Sequence, residues 1–385
     1  MLTWLFYMPI ALLAYQFILF PVILLVSARR KGEPYYGDMP DDQLPTITMI
    51  IAARNEADVI ADKLANSVAL DYPKDKYSVI VAANGCTDDT PKVVRSFSDQ
   101  GVFLAEYGNV GKTEAQRRAV REHAKGEILV FSDANTPFDN DALRELVQPF
   151  QDPKVGSVAG NHIYLDKGDS RSATEGFFWN SIELFYKKTE SASGGALGAM
   201  GSIYAVRRSL FVDLPPDVYE DFWQPMLIAV KGYRTVFAPN AICREQVEEP
   251  DLEIEHRRKM RIVQQSVAGI IKFRWVLNPF RYPRLAWLTI SHKILRWGAP
   301  FMLLAMLVSA TFKLLLGRSD ALQRFFFFST TILGFLAILG RGLGRYKSVP
   351  ILTHSYYAVL MLHAAYQGTL DGFKLGSFSS WDRVR

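Results

Sequence analysis

The sequence is poor in cysteine, has no charged side chain near its N-terminus, and carries no assembled nucleophile. Its 385 residues include two cysteines, Cys86 and Cys243. Two thiols make no disulfide framework and no paired metal-ligand spacing, and they fit a reducing compartment. No convincing Ser–His–Asp or Cys–His grouping stands out. No internal repeat or low-complexity run is evident, which argues against a solenoid. The net charge of +5 is modest and partly explained by basic residues beside apolar segments, so no nucleic-acid partner is expected.

The missing charge is concentrated. Positions 1–28 have no charged side chain, and Arg29, Arg30 and Lys31 follow at once. This run exceeds the ~20 residues a bilayer crossing needs. No basic region precedes it, so an anchor is expected rather than a cleaved signal peptide. Positive flanks stay cytoplasmic, which places residue 32 onward inside the cell. Three further apolar runs follow in the C-terminal part: Trp297–Phe312, Phe325–Gly340 and Ser348–Leu370. The first two are short for full crossings and the last is only moderately apolar. Ile290–Trp297 (ISHKILRW) mixes bulky apolar and basic residues, as an interfacial helix does. Four crossings would put the C-terminus outside, and the basic Lys374, Arg383 and Arg385 argue mildly against that. The expected plan is an anchor at 1–31, a cytoplasmic domain at 32–285, and an interfacial helix with transmembrane segments at 286–385.

Between the apolar ends the pattern alternates strand and helix. Thr46–Ala53 (TITMIIAA) reads as a buried strand, Tyr77–Ala82 as a second and Ile128–Phe131 as a third. Helices are expected near 57–67, 90–98 and 113–124. Such units predict an α/β domain with a parallel sheet covered on both faces. Ligands then bind where strands end. Asn55 and Glu56 follow the first strand, Asn84 and Asp88 the second, Asp133 and Asn135 a later one. Each alone is ordinary turn chemistry; together they mark one sheet edge.

Asp133-Ala134-Asn135 could hold a divalent cation, since Mg²⁺ often takes one or two carboxylates and completes its shell with phosphates. It could equally cap a helix. Gly111-Lys112 precedes a helix, where a lysine can meet phosphate. Tyr219-Glu220-Asp221 offers a general base or a pair of acids at a positive helix end. Arg258 and Arg261 share a helix face, suited to a diphosphate or to lipid headgroups. A helix at 175–190, with Glu175, Phe177, Phe178, Trp179, Glu183, Phe185 and Tyr186, could stack on an acceptor sugar, lie on the membrane or pack in a core.

As an ordered set, these pieces resemble the family 2 inverting glycosyltransferases, the superfamily of cellulose, chitin and hyaluronan synthases, over residues 45–385. The resemblance implies a GT-A (Rossmann-like) catalytic domain with N- and C-terminal transmembrane helices. In IIAARNE it implies that Ala53, Asn55 and Glu56 approach the nucleotide, and in NGCTDDT that Asn84 and Asp88 lie near the uridine. Gly111-Lys112 is similar to the family's GK step, and SDANT to its DxD position, giving Asp133 and Asn135 with Mg²⁺ or Mn²⁺. GAMGSIYAVRR is similar to the acceptor-side strand, with Gly201 and Ser202, and the helix residue Trp179 is the aromatic candidate for the same acceptor side. YED is similar to TED, making Asp221 the catalytic base beside Glu220. Arg258 and Arg261 occupy the place of QxxRW, and SHKILRW and WDRVR resemble membrane-proximal elements.

The chain departs from the family in three places. Ala83-Asn84 replaces an aspartate pair, Asn135 replaces the second DxD acid, and Arg258–Ile262 keeps the arginine of QxxRW without its glutamine or tryptophan. The expected activity is transfer from a nucleotide-sugar, of the UDP class, to a growing polysaccharide or glycolipid at the inner membrane. Transfer of one sugar to a lipid or glycan, and an inactive nucleotide-binding membrane subunit, are the alternatives. Membrane lipids, a homo-oligomer or envelope-complex partners are compatible with such a chain.

Overall fold

The computed structural model describes residues 1–32, 36–165, 182–246, 252–343 and 349–374. The chain opens on helix α1 (Leu2–Lys31). Strand β1 (Ile47–Ala53) follows, then α2 (Ile60–Ala69), β2 (Tyr77–Asn84), α3 (Thr90–Arg95), β3 (Val102–Tyr107) and α4 (Lys112–His123). Next come β4 (Ile128–Asp133), α5 (Ala142–Val147), β5 (Val155–Leu165), α6 (Leu184–Ala192), β6 (Ile203–Arg207), α7 (Glu220–Val230) and β7 (Arg234–Gln246). Helix α8 (Leu252–Lys272) leads to α9 (Pro283–Leu315), α10 (Ala321–Leu343) and α11 (Pro350–Phe373). Contacts divide the chain into two compact units, Leu24–Glu248 and Met1–Ile23 with Glu249–Gly376.

The first unit is built on one seven-stranded sheet of order β3-β2-β1-β4-β6-β5-β7. All seven residues of β1 are buried. A strand covered on both faces reads as a continuous apolar run rather than an alternation. Two core clusters share the strands: Met49, Ile51, Val79 and Val130 in one, Ile50, Ile80, Leu129 and Phe131 in the other. The sheet is mixed, which corrects the all-parallel expectation: β6 runs antiparallel to both β4 and β5. Register then sets the site. Ala53 pairs with Ala83, and Ala52 with Asp133, so β1, β2 and β4 end side by side. Because β6 is reversed, its beginning lies at this edge, with Ser132 opposite Ile203.

In the second unit three helices are long and apolar enough to cross a membrane: α1, α9 and Ala321–Gly342 of α10. Ile290–Trp297, expected as an interfacial helix, lies inside the unbroken α9, with a π-helical turn at Thr289–Ile294. Polar links join α1 to α9. Tyr15 shares a hydrogen bond with Ser291 at 2.7 Å, and Trp287 Nε1 donates to the Tyr15 hydroxyl at 2.8 Å. Where water is absent, such bonds replace solvation. Gly368 and Gly372 of α11 face the α8 backbone; a Cβ at Gly368 would stand 2.5 Å from the Met260 carbonyl oxygen. Small residues permit such close helix approach.

Candidate active site

Four loops meet at the shared edge of the sheet unit. The turns after β1 and β2 are tied together. Asn55 Oδ1 accepts from Thr87 N at 2.8 Å, Thr90 Oγ1 accepts from Glu56 N at 2.8 Å, and Asp88 Oδ2 accepts from Ala57 N at 3.1 Å. Asn55 holds φ 54°, a left-handed conformation that asparagine tolerates better than most residues. Asn84 is fully buried, and its Oδ1 accepts from Val110 N (2.9 Å) and Gly111 N (3.2 Å). Asn84 therefore positions the turn that launches α4. Gly111 adopts φ +91° there, a conformation costly for any residue with a Cβ.

Lys112, the first residue of α4, is the centre of the site. Its Nζ lies 2.9 Å from Asp133 Oδ1 at the end of β4 and 2.9 Å from Glu220 Oε1 at the start of α7. Burial opposes the ammonium charge, but the Asp133 and Glu220 carboxylates hold its pKa well above the ordinary lysine value. Burial likewise opposes ionisation of Asp133, yet Lys112, by charge and hydrogen bond, with His162 and Lys63 beyond it, carries that carboxyl below its usual range.

Asp221 differs from both. It is 7 % exposed on the first turn of α7. Burial, and then the neighbouring Glu220, lift its pKa to about 7 against the pull of Lys112 and Lys187. Gly201 leaves room for it: a Cβ at 201 would sit 3.0 Å from Asp221 Oδ2 and 3.6 Å from Lys112 Nζ. The Asp221 carbonyl accepts from Ala199 N at 2.8 Å, which pins the loop before β6 against α7.

The structure thus brings Asn84, Lys112, Asp133, Gly201, Glu220 and Asp221 together. Ser202 is buried, with its hydroxyl shared with His162 Nδ1 at 2.8 Å. Asn135 is exposed and donates from Nδ2 to Glu245 Oε1 at 2.9 Å. Arg258 and Arg261 lie on α8 in the other compact unit, where Arg258 pairs with Glu255 at 2.8 Å. Trp179, with Glu175, Phe177 and Phe178, lies outside the described residues, as does the WDRVR terminus. In the described half of the expected 175–190 helix, Glu183 and Tyr186 are buried, as core packing requires.

Sequence reasoning missed four residues. Lys187 donates to the carbonyls of Gly198 (2.5 Å) and Ala199 (3.2 Å), bracing the loop beneath Asp221. Lys63 is 2 % exposed, donates to the Thr136 carbonyl at 2.7 Å and lies over the Phe138 ring. Burial lowers its pKa to about 7. His162 and Glu245 stand 3.0 Å apart beside Asn135. Nothing local in the sequence marks these four, because their partners are distant along the chain.

This arrangement pairs a buried carboxylate poised near neutrality with a lysine bridging one acid at the end of β4 and another at the start of α7. The profile described as glycosyltransferase like family 2 matches residues 45–265, and the chain belongs to that family.

Among individual relatives, the chain is 27 % identical over 219 residues to the poly-beta-1,6-N-acetyl-D-glucosamine synthase of Staphylococcus aureus, covering 55 % of this chain and 52 % of that protein. It is 24 % identical over 214 residues to the enzyme of the same name from Staphylococcus epidermidis, covering 54 % and 51 %. The chain therefore spans about half the length of the curated relatives it matches. A solved structure, the mannosyltransferase PcManGT from Pyrobaculum calidifontis in complex with GDP-Man and Mn²⁺, aligns over 95 % of this chain and 99 % of that one, with TM-score 0.67 and 26 % identity. The chain is a family 2 glycosyltransferase, similar to polysaccharide synthases, with three helices among the described residues long and apolar enough to cross a membrane.

Proposed function

We propose that the chain transfers a hexose from a nucleotide-sugar to a hydroxyl of a growing polysaccharide or glycolipid, with inversion, at the cytoplasmic face of the inner membrane. The carrying observation is Asp221: a buried carboxylate with its pKa near 7, where a general base works best. Asp221 takes the proton of the acceptor hydroxyl as that oxygen attacks the anomeric carbon. One displacement inverts the carbon and releases the nucleoside diphosphate, so no enzyme nucleophile is needed.

The donor set fits a divalent cation of the Mg²⁺ or Mn²⁺ kind. Asp133 offers one carboxylate and Asn135 follows two residues on, while no cluster of three His, Cys, Asp or Glu side chains that could hold a metal exists among the described residues. A single protein carboxylate with diphosphate oxygens completes such a shell. When bound, the ion offsets charge on the leaving diphosphate. Lys112 adds its own positive charge at the same place, and a donor phosphate would compete with Asp133 and Glu220 for it. Asn55, Glu56, Asn84 and Asp88 shape the nucleotide end. Gly201 and Ser202 border the acceptor end.

Transfer of a single sugar rather than chain extension is favoured by one observation: Arg258–Ile262 lacks the glutamine and tryptophan of QxxRW. Purified full-length protein in detergent, given Mn²⁺, short glycan and lipid acceptors and a panel of UDP- and GDP-hexoses, is expected to release nucleoside diphosphate with one of them. Silence across the panel would overturn the enzyme reading. Mass spectrometry of the product separates one added sugar from many.

A further inference from the structure

The resemblance implies two acids in the loop after β4, whereas here it carries Asp133 and the amide Asn135. The structure shows an acid beside that amide from another strand. Glu245 lies near the end of β7, and its Oε1 accepts from Asn135 Nδ2 at 2.9 Å. Its other oxygen, Oε2, lies 3.0 Å from His162 Nε2 on β5.

His162 is itself held on two sides. Its Nδ1 shares a hydrogen bond with the buried Ser202 hydroxyl at 2.8 Å, and its ring stacks on Tyr164 at 4.3 Å between centroids. The register that sets His162 opposite Cys243 and Tyr164 opposite Glu245 fixes this spacing through the backbone. Cys243 also donates to Ser202, at 3.6 Å. The chain of contacts runs from Asn135 through Glu245 and His162 into the buried start of β6.

An amide whose nitrogen is committed to a carboxylate keeps its oxygen, the only atom that can ligate a hard cation, clear of that bond. The carboxylate meanwhile leaves one negative charge within hydrogen-bond reach of the loop. Together the two side chains present what one aspartate would present alone. We propose that Glu245, beside His162, is a positioning residue that supplies the second acidic function of the donor site, fixing the Asn135 amide and adding the negative charge the loop lacks. This inference rests on the donor-site reading above. It assigns β5 and β7 a part in cation binding that the loop sequence alone does not suggest.

The test is a reciprocal exchange read by Mn²⁺ binding, with EPR titration of the full-length protein in the presence of UDP or GDP and no acceptor. Glu245→Gln keeps the size of the side chain and removes its charge. It is expected to weaken Mn²⁺ binding by about tenfold or more, as losing a partner of a metal ligand does. The double variant Asn135→Asp with Glu245→Gln returns the acid to the loop and lets the new amide on β7 donate to it. Its affinity is expected to recover to within about threefold of wild type, a reversal that simple structural damage would not give. Circular dichroism and thermal melting check that each variant folds. The exchanged pair keeps the question decidable if Glu245→Gln alone does not fold. Wild-type affinity in Glu245→Gln, or a double variant no better than the single, would overturn the role of Glu245 while leaving the enzyme reading intact. A wild-type protein that binds no Mn²⁺ with either nucleotide would overturn both.

Discussion

Asp221 holds a charge that its surroundings oppose. Its pKa is raised to about 7 by burial first and by Glu220 second. The folded state therefore favours the protonated acid, and the stability this provides is full below the ordinary carboxyl pKa and is lost progressively as pH rises from there to about 7. Asp221→Asn, uncharged at every pH, should abolish turnover while sparing donor binding. It should also stabilise the fold relative to wild type by about 1–3 kcal/mol more at pH 8 than at pH 5, as measured by urea unfolding at the two values. Retained turnover would refute its role as base. For the wild type, kcat should climb as pH passes through about 7, since only the ionised carboxylate accepts the proton. A flat profile between pH 5 and 9 with chemistry rate-limiting would count against it. Lys112 has the opposite balance, its charge welcomed by two acids. Lys112→Met strands Glu220, which is almost wholly buried, beside Asp133. The expected loss is about 2–4 kcal/mol, below the cost of a fully buried pair because the Asp133 side chain is 34 % exposed.

At the level of elements, the site depends on loops held from behind. The segment before β6 is gripped by α6 through Lys187 and Glu190; Glu190 Oε2 accepts from Leu197 N at 3.0 Å. It is gripped again by α7 through the Asp221 carbonyl. Gly201 sits at the end of this segment, where even a methyl group meets the Asp221 carboxylate. Gly201→Ala is expected to lower kcat at least about tenfold by moving the base about an ångström, with a melting temperature near wild type. An unchanged kcat would show that the carboxylate shifts freely. The helix signals are legible in part. Gly111-Lys112 marks the start of α4, and Thr90-Pro91 starts α3. The edge strand β3 is not legible, because Val102–Tyr107 is only partly buried and lacks a clear apolar run.

For the whole molecule, α1, α9 and α10 have the length and apolarity to cross a bilayer. The chain is expected to stay in the membrane pellet after carbonate washing, and its release would contradict that. With the sheet unit on the cytoplasmic side, a protease site inserted at the exposed turn Ser98–Gly101 should be cleaved in inside-out vesicles and protected in intact spheroplasts. The reverse pattern would invert the proposed topology.

The N-terminal apolar helix and the edge of the sheet were readable from the sequence alone. Trp297–Phe312 and Phe325–Gly340, short as apolar runs, lie in helices long enough to cross a membrane, and Ser348–Leu370 is not among the candidate spans of the described residues. Apolar runs and strand-ending turns are properties of neighbours along the chain, and Ala53, Asn84 and Asp133 each follow or end a run of buried residues. The candidate base was singled out only by resemblance, and its pKa was invisible, because desolvation depends on what packs over Asp221 from Gly201, Lys112 and Lys187. The direction of β6, the bridge of Lys112 to two acids, and the pairing of Asn135 with Glu245 and His162 were decided by tertiary structure. Each joins residues far apart in sequence, and only the order and register of the strands bring them within hydrogen-bonding distance.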